Sequence, residues 1–131
     1  MKIIKQTYFI HAPIDTVWEA LVNESVINAW GGGPAKMDDK EGTEFTLWGG
    51  SIWGTNKKVE PKKSLKQEWY SDEEQKWDKA SLVTFTLYPE KNTVRLDLLH
   101  EDVPDADARN IEDGWKEYYL GPLKEYLESK H

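Results

Sequence analysis

The chain contains no cysteine among its 131 residues. Disulfide bonds and thiol chemistry are therefore excluded, although either a reducing or an oxidising compartment tolerates this absence. No segment approaches the ~18 consecutive apolar residues that a membrane-spanning helix requires. The amino terminus, MKIIKQTYFIHAP, alternates loosely between apolar and polar residues and lacks the continuous apolar core of a secretory signal. These absences predict a cytoplasmic protein without a membrane span.

Positive charge is in deficit, because 17 Lys and Arg residues face 24 Asp and Glu residues, for a net charge of -7. Nucleic-acid phosphates require a basic face, so the balance predicts no nucleic-acid partner. One local exception surrounds a predicted strand–turn–strand, and we call it the lysine rim: Lys57, Lys58, Lys62, Lys63 and Lys66. It is either a solvated edge that balances nearby acids or a dock for an acidic partner.

Catalytic and metal-binding patterns are also missing. His100 has no obvious serine or cysteine nucleophile and no second histidine at metal-ligand spacing. Acidic residues follow it without the glycine-punctuated spacing of a calcium loop: Glu101, Asp102, Asp105, Asp107, Glu112 and Asp113. Carboxylates favour a helix amino terminus, which is the simpler explanation, and a divalent-cation site is the alternative. We predict no catalytic residue, cofactor or metal; an enzyme with His100 and a tyrosine as acid–base pair is the weakest hypothesis.

Aromatic residues, in contrast, are abundant, with seven Trp, six Tyr and three Phe. Aromatic side chains bury large areas, and their polar groups usually find partners. A minimal core does not need so many. The number suits a lined cavity or an adhesive surface.

Hydrophobic periodicity predicts strands over 2–10, 43–48, 51–59, 65–70, 80–88 and 93–100, and helices over 15–22, 24–30 and 110–128. Asp15 is the predicted N-cap of the first helix, Gly31 ends the second, and Asp105 or Asp107 caps the third. One face of the long helix carries apolar residues at three- and four-residue intervals: Ile111, Trp115, Tyr118, Tyr119, Pro122, Leu123 and Tyr126. Pro122 is expected to kink that helix. The order predicts one α+β domain over 1–131, in which a curved antiparallel sheet wraps around the long C-terminal helix.

The pair Gly49-Gly50 predicts a two-residue hairpin turn. This turn sets a register of facing pairs: Trp48–Ser51, Leu47–Ile52, Thr46–Trp53 and Phe45–Gly54. The apolar face must point inward, so the register places Trp48 and Trp53 on the outer face. Exposed tryptophans there would mark a contact surface, such as a homodimer interface.

Several segments together resemble a known family: APIDTVWEAL, GGSIWG, VEPKKSLKQEW, LLHEDVP and GWKEYYLGPLKEYL. The chain, from about residue 5 to 127, is similar to the C-terminal-type domain of the family named for the activator of the ninety-kilodalton heat-shock chaperone ATPase. This family belongs to the START-related, birch-pollen-allergen-like superfamily with a helix-grip fold. The resemblance implies a seven-stranded-type sheet, two short helices closing one end, and a cavity or its filled remnant between helix and sheet. Family members include co-chaperones, small-molecule binders and stand-alone domains. The resemblance therefore also implies a chaperone as a candidate partner.

Strand alternation points four polar side chains inward: Asn56, Gln67, Ser81 and His100. An unpartnered buried polar group costs ~1–3 kcal/mol, so these residues suggest a hydrated or ligand-holding space. An ordinary aromatic core is the alternative, with His100 as a structural histidine. The predicted ligand site comprises Phe45, Gln67, Trp69, Phe85, His100, Trp115 and Tyr119. The first functional hypothesis is a cytoplasmic binder of a hydrophobic or amphipathic small molecule. The second is a chaperone-associated or other protein-interaction module.

Overall fold

A computed structural model describes residues 1–71 and 80–129. The elements are, in chain order, β1 (Lys2–Ile10), α1 (Ile14–Val22), α2 (Glu24–Trp30), β2 (Glu44–Leu47), β3 (Ile52–Glu60), β4 (Ser64–Ser71), β5 (Ser81–Glu90), β6 (Thr93–Val103), α3 (Ala108–Gly114) and α4 (Leu120–Ser129). Of the segment between the strands predicted over 65–70 and 80–88, the structure describes only Ser71, which ends β4. No helix in the described ranges is long and apolar enough to cross a membrane.

The described strands form one antiparallel sheet in the order β1-β6-β5-β4-β3-β2. Strands β2 to β6 pair with their neighbours in sequence, and β1 closes the order beside β6, where Lys5 faces Leu99. The predicted α+β class with a curved sheet and a long C-terminal helix is confirmed. The seven-stranded count is wrong for the described residues, which form six strands. A single bridge between Lys36 and Thr46 extends the β2 edge.

The inner face of β4, β5 and β6 follows the predicted alternation. Successive strand residues point to opposite faces, so every second side chain enters the core. The buried positions are Leu65, Gln67, Trp69, Ser81, Val83, Phe85, Leu87, Val94, Leu96, Leu98 and His100. The prediction of these inward positions, including the polar ones, is confirmed.

The hairpin between β2 and β3 follows the predicted register up to the pair Leu47–Ile52. Beyond it, Trp48–Gly50 form a 3₁₀ turn in which Trp48 adopts a left-handed φ of 48°. The connection is therefore longer than two residues, and Trp48 leaves the strand alternation. The outer-face prediction is wrong for Trp48. It is confirmed for Trp53, which is 39% exposed and stacks on Tyr70 with ring centroids 5.8 Å apart.

The two short helices close one end of the sheet. Helix α1 begins with Pro13 at its N-cap position, so the predicted N-cap role of Asp15 is wrong, and Asp15 lies in the first turn. Proline suits a helix start because its φ is fixed and the first N–H groups lack helical partners. At the start of α2, the side chain of Asn23 accepts two backbone N–H groups. Gly31 ends α2 with a φ of 110°, as predicted.

The long helix runs over residues 108–129 but is interrupted by a wide π turn, Trp115–Tyr119. The Leu120 N–H bonds to the Trp115 carbonyl five residues back. A Cβ on Gly121 would lie 2.0 Å from the Lys116 carbonyl oxygen, so the backbone packs closely there because Gly121 has no side chain. Pro122 cannot donate to the helix ladder, and in an α-turn its ring would meet the carbonyl four residues back. The disruption expected at Pro122 is thus a widened turn just before it.

The π turn also changes which side of the helix faces the sheet. Trp115, Tyr119 and Leu123 are buried as predicted, while Tyr118 is 64% exposed, so its prediction is wrong.

Asp107 occupies the N-cap position without a side-chain cap bond, and Asp105 instead pairs with the Met1 ammonium at 3.1 Å.

Candidate functional site

A pocket of about 730 Å³ opens between the first half of the long helix and the hairpin end of the sheet. We call it the indole pocket. Its inner wall consists of Trp48, Trp69, His100, Trp115 and Tyr119. Its mouth is lined by Ser51, Ile52, Ser71, Asn110, Ile111, Asp113, Gly114, Glu117 and Tyr118.

The inner wall is a continuous aromatic surface. The Trp115 ring lies 4.9 Å from both the Trp69 and Tyr119 rings, measured between centroids. The Trp48 ring meets Tyr119 edge-on at 6.1 Å. The Trp48 indole N–H donates to the Gly31 carbonyl at 2.8 Å, which fixes that ring against the end of α2. Contacts on several sides hold these rings in place before any ligand arrives.

His100 links two walls of the pocket through a one-way chain of hydrogen bonds. The Trp115 Nε1–H donates to His100 Nδ1 at 3.0 Å, so the ring proton of a neutral His100 must sit on Nε2. His100 Nε2 then donates to Ser81 Oγ at 2.8 Å. The Ser81 hydroxyl is left to donate to the Trp69 carbonyl at 3.4 Å. Each member of the chain therefore has a partner.

A second chain runs from Trp69 away from the pocket. Trp69 Nε1 donates to Gln67 Oε1 at 2.8 Å, and Gln67 Nε2 donates to Asn56 Oδ1 at 2.9 Å. Asn56 Nδ2 ends the chain on the Asp38 carbonyl at 3.0 Å. The four inward polar residues are thus explained by pairing with indoles, with backbone and with one another. Their presence does not require a hydrated interior.

The chemistry of His100 follows from this burial. Loss of solvation lowers the pKa of His100 to about 3, because the charged imidazolium is disfavoured in the interior. Accepting a proton on Nδ1 would also break the bond from Trp115. His100 is therefore a neutral part of the wall at physiological pH, and the geometry does not support the acid–base role considered for it.

Tyr119 differs from its neighbours because its hydroxyl is buried without a hydrogen-bond partner among the described residues. Burial raises the pKa of Tyr119, so the hydroxyl keeps its proton. A buried hydroxyl left unpaired costs ~1–3 kcal/mol. The interior thus contains a hydroxyl that no described residue satisfies.

The structure brings four of the seven predicted site residues together in the inner wall: Trp69, His100, Trp115 and Tyr119. The other three support this wall from behind. Phe45 packs on Trp69, Phe85 packs on Trp115 and Tyr119, and Gln67 accepts from the Trp69 indole. Trp48 and the mouth residues lay outside the predicted site. The glycine pair next to Trp48 indicated only a turn.

The acidic residues between Glu101 and Asp113 lie at the end of β6 and at the start of the long helix. Among the described residues, no group of three or more histidine or carboxylate side chains could hold a metal ion. The first turn of α3 contains no acidic residue, so the helix-dipole explanation does not apply to Asp113, which instead lies at the pocket mouth.

A family model described as Activator of Hsp90 ATPase homolog 1-like protein matches residues 11–128. The chain belongs to this family. An activator of 90 kDa heat shock protein ATPase homolog from Dictyostelium discoideum is 29% identical over 116 residues, which cover 86% of this chain and 29% of that protein. The chain therefore spans less than a third of the length of that relative.

Two solved structures share the fold. An HSP90 activator from Plasmodium falciparum superimposes with a TM-score of 0.87 at 20% identity, covering 98% of this chain and 97% of the other. The Aha1 dimer from Colwellia psychrerythraea gives a TM-score of 0.82 at 18% identity, covering 98% and 97%. At these identities the likeness shows the fold alone.

Proposed function

We propose that the chain is a cytoplasmic domain, spanning residues 1–131, that binds a hydrophobic or amphipathic small molecule in the indole pocket. The observation that carries the proposal is a concave pocket lined by the aromatic residues Trp48, Trp69, Trp115 and Tyr119. Ligand sites are typically concave, mostly apolar and provided with a few polar groups, in the range of ~300–1,000 Å³. A volume of about 730 Å³ falls within that range.

The ligand would lie against Trp48, which is half-buried, and against the small accessible parts of Trp69 and Trp115, which are 6% and 3% exposed. Flat apolar molecules gain most on such a wall, because aromatic faces bury large areas and favour offset or edge-to-face contact. Because the two hydrogen-bond chains hold the wall in place, little ordering of the protein is required on binding.

Gly114 offers a direct test, because it lines the pocket in an ordinary helical conformation. Beyond the helix backbone, a Cβ placed on it would meet Tyr118 Cδ2, at 3.8 Å. Gly114→Leu should therefore fold normally and fill part of the pocket, while Gly114→Ala is the matched control. We expect the neutral dye N-phenyl-1-naphthylamine to brighten on saturable binding to the wild type and to Gly114→Ala, and Gly114→Leu to weaken its affinity at least about ten-fold. Equal binding by all three proteins, or no binding by any of them, would contradict the proposal.

A chaperone partner is the second candidate, favoured by the relatives named as Hsp90 activators. On the lysine rim, Lys57 and Lys62 form ion pairs with nearby carboxylates at 3.9 and 2.8 Å. Lys58 and Lys63 are exposed and have no ion pair among the described residues, so they are available to an acidic surface. If a 90 kDa heat-shock chaperone binds there, Lys58→Glu with Lys63→Glu should abolish capture of the purified chaperone, and Lys5→Glu on β1 should not. Capture that survives the double reversal would exclude the rim as its dock.

A further inference from the structure

The mouth of the indole pocket is acidic. Asp113 and Glu117 line it, both are exposed, and neither carboxylate has a hydrogen-bond or ion-pair partner among the described residues. No lysine or arginine lines the pocket within the described parts of the chain. A ligand entering this mouth therefore meets two carboxylates, and no lysine or arginine in the described part of the lining neutralises them.

Neither carboxylate forms an ion pair among the described residues, although Arg109 lies four positions before Asp113 and Lys116 three positions after it on the same helix. Asp113 and Glu117 are themselves four positions apart on one side of this helix, where like charges repel each other. They also lie beyond the first helical turn, so the positive end of the helix dipole does not favour them. A bound cation at the mouth would reduce this repulsion.

The inner wall does not oppose a positive charge at the mouth. It consists of tryptophan and tyrosine rings and of His100, which has both ring nitrogens engaged in hydrogen bonds and presents no positive charge. The charge of the preferred ligand is therefore set at the mouth.

We propose that the indole pocket selects a cationic amphiphile, in which a protonated or quaternary amine is attached to a flat apolar body. The ammonium lies at the mouth beside Asp113 and Glu117, and the apolar body lies against Trp48, Trp69 and Trp115. This inference rests on the function proposed above and specifies its ligand class. It separates the protein from carriers of fatty acids or other carboxylates, which need a basic group at the pocket.

Three naphthalene compounds of similar size and different charge test the inference. They are the cation (2-naphthylmethyl)trimethylammonium, the neutral alcohol 2-naphthalenemethanol and the carboxylate 2-naphthaleneacetate. Each is used to displace N-phenyl-1-naphthylamine. We expect the cation to bind at least about five-fold more tightly than the neutral alcohol, and the carboxylate to bind most weakly. The ratio of cation to alcohol should shrink as NaCl rises from 20 to 500 mM, because salt screens the exposed carboxylates.

Two double variants with the same change in net charge locate the effect. Asp113→Asn with Glu117→Gln should bring the cation-to-alcohol ratio close to one while the alcohol keeps its affinity. Glu112→Gln with Glu125→Gln, on exposed positions of the same helix outside the pocket, should keep the wild-type ratio. If the dye and the alcohol bind but the three charges are not distinguished, or the carboxylate binds best, the charge inference is wrong and the proposed function stands. If no compound displaces the dye and the dye itself does not bind, both are wrong.

Discussion

Burial of His100 couples the stability of the fold to pH. In the folded protein the pKa of His100 is lowered to about 3 from its ordinary 6.5, because the interior disfavours the imidazolium. Between these values the unfolded chain binds a proton that the folded chain does not. The stabilisation that depends on a neutral His100 is therefore fully present above about pH 6.5. It is lost as pH falls from about 6.5 to about 3, by about 1.4 kcal/mol per pH unit. From pH 7.5 to 5.0 the loss attributable to His100 is about 2 kcal/mol.

The assay is urea unfolding followed by tryptophan fluorescence, with wild type and His100→Gln compared at both pH values. The variant loses hydrogen bonds to Trp115 and Ser81, so we expect it to be less stable at pH 7.5 by ~1–3 kcal/mol. It has no titrating ring, so the gap between the two proteins should narrow by about 2 kcal/mol at pH 5.0. A gap that is the same at both pH values would show that His100 takes up its proton without unfolding, and would refute the argument from burial.

Three further predictions concern the helices and the outer face. Gly121→Ala should destabilise the protein by at least about 2 kcal/mol in urea unfolding, because the new Cβ would clash with the Lys116 carbonyl. Gly114→Ala should instead stabilise it by ~0.5–1 kcal/mol through the higher helix propensity of alanine. A Gly121→Ala variant more stable than Gly114→Ala would contradict the geometry of the π turn. Asn23→Ala should lower the free energy of unfolding by ~1 kcal/mol, because its side chain caps the first N–H groups of α2, while Asp15→Ala should change it by no more than about 0.5 kcal/mol. Equal effects of the two substitutions would contradict the assignment of Asn23 as a cap. If the chain forms a homodimer through its exposed outer face, Trp53→Ser should sediment as a monomer in sedimentation velocity. The substitution should not change the unfolding midpoint measured under conditions in which the wild type is also monomeric. A variant that still sediments as a dimer would place the interface elsewhere.

Strand alternation is the part of this fold that the sequence determines most directly. In β4, β5 and β6 each inward residue is two positions from the next, so a single correct placement, such as Phe85, fixes the rest. The hairpin register held for the same reason up to Leu47. It failed at Trp48 because a pair of glycines permits several connections, and only tertiary contact with Gly31 selects the one in which a tryptophan takes a positive φ.

The helix shows a second limit of periodicity. Pro122 signalled a disruption, but the position of the widened turn depends on how Lys116 and Gly121 pack, which the pattern of apolar residues does not encode. The π turn contains one residue more than an α-helical turn. With this extra residue, Tyr118 lies at the surface while Trp115 and Tyr119 are buried.

The inner wall of the candidate site was partly predictable, and its mouth was not. Trp69 and His100 followed from alternation, because buried strand positions converge on the helix. Pairing between Gln67, Asn56 and two indoles depends on distances across strands, so the sequence could show that polar groups point inward but not that they satisfy one another. The mouth is lined both by Asp113 of the helix and by Ser51 and Ile52 of the hairpin, which are far apart in sequence.

The most direct test of the ligand site is a titration with N-phenyl-1-naphthylamine followed by the indole Nε1–H signals in ¹H–¹⁵N NMR spectra. Ring currents from a ligand on the inner wall should shift the signals of Trp48, Trp69 and Trp115, with one common affinity. The signals of Trp18, buried in α1, and Trp53, on the outer face of the sheet, should stay in place. Shifts at Trp53 with the three wall indoles unchanged would put the ligand on the outside of the sheet and contradict the account.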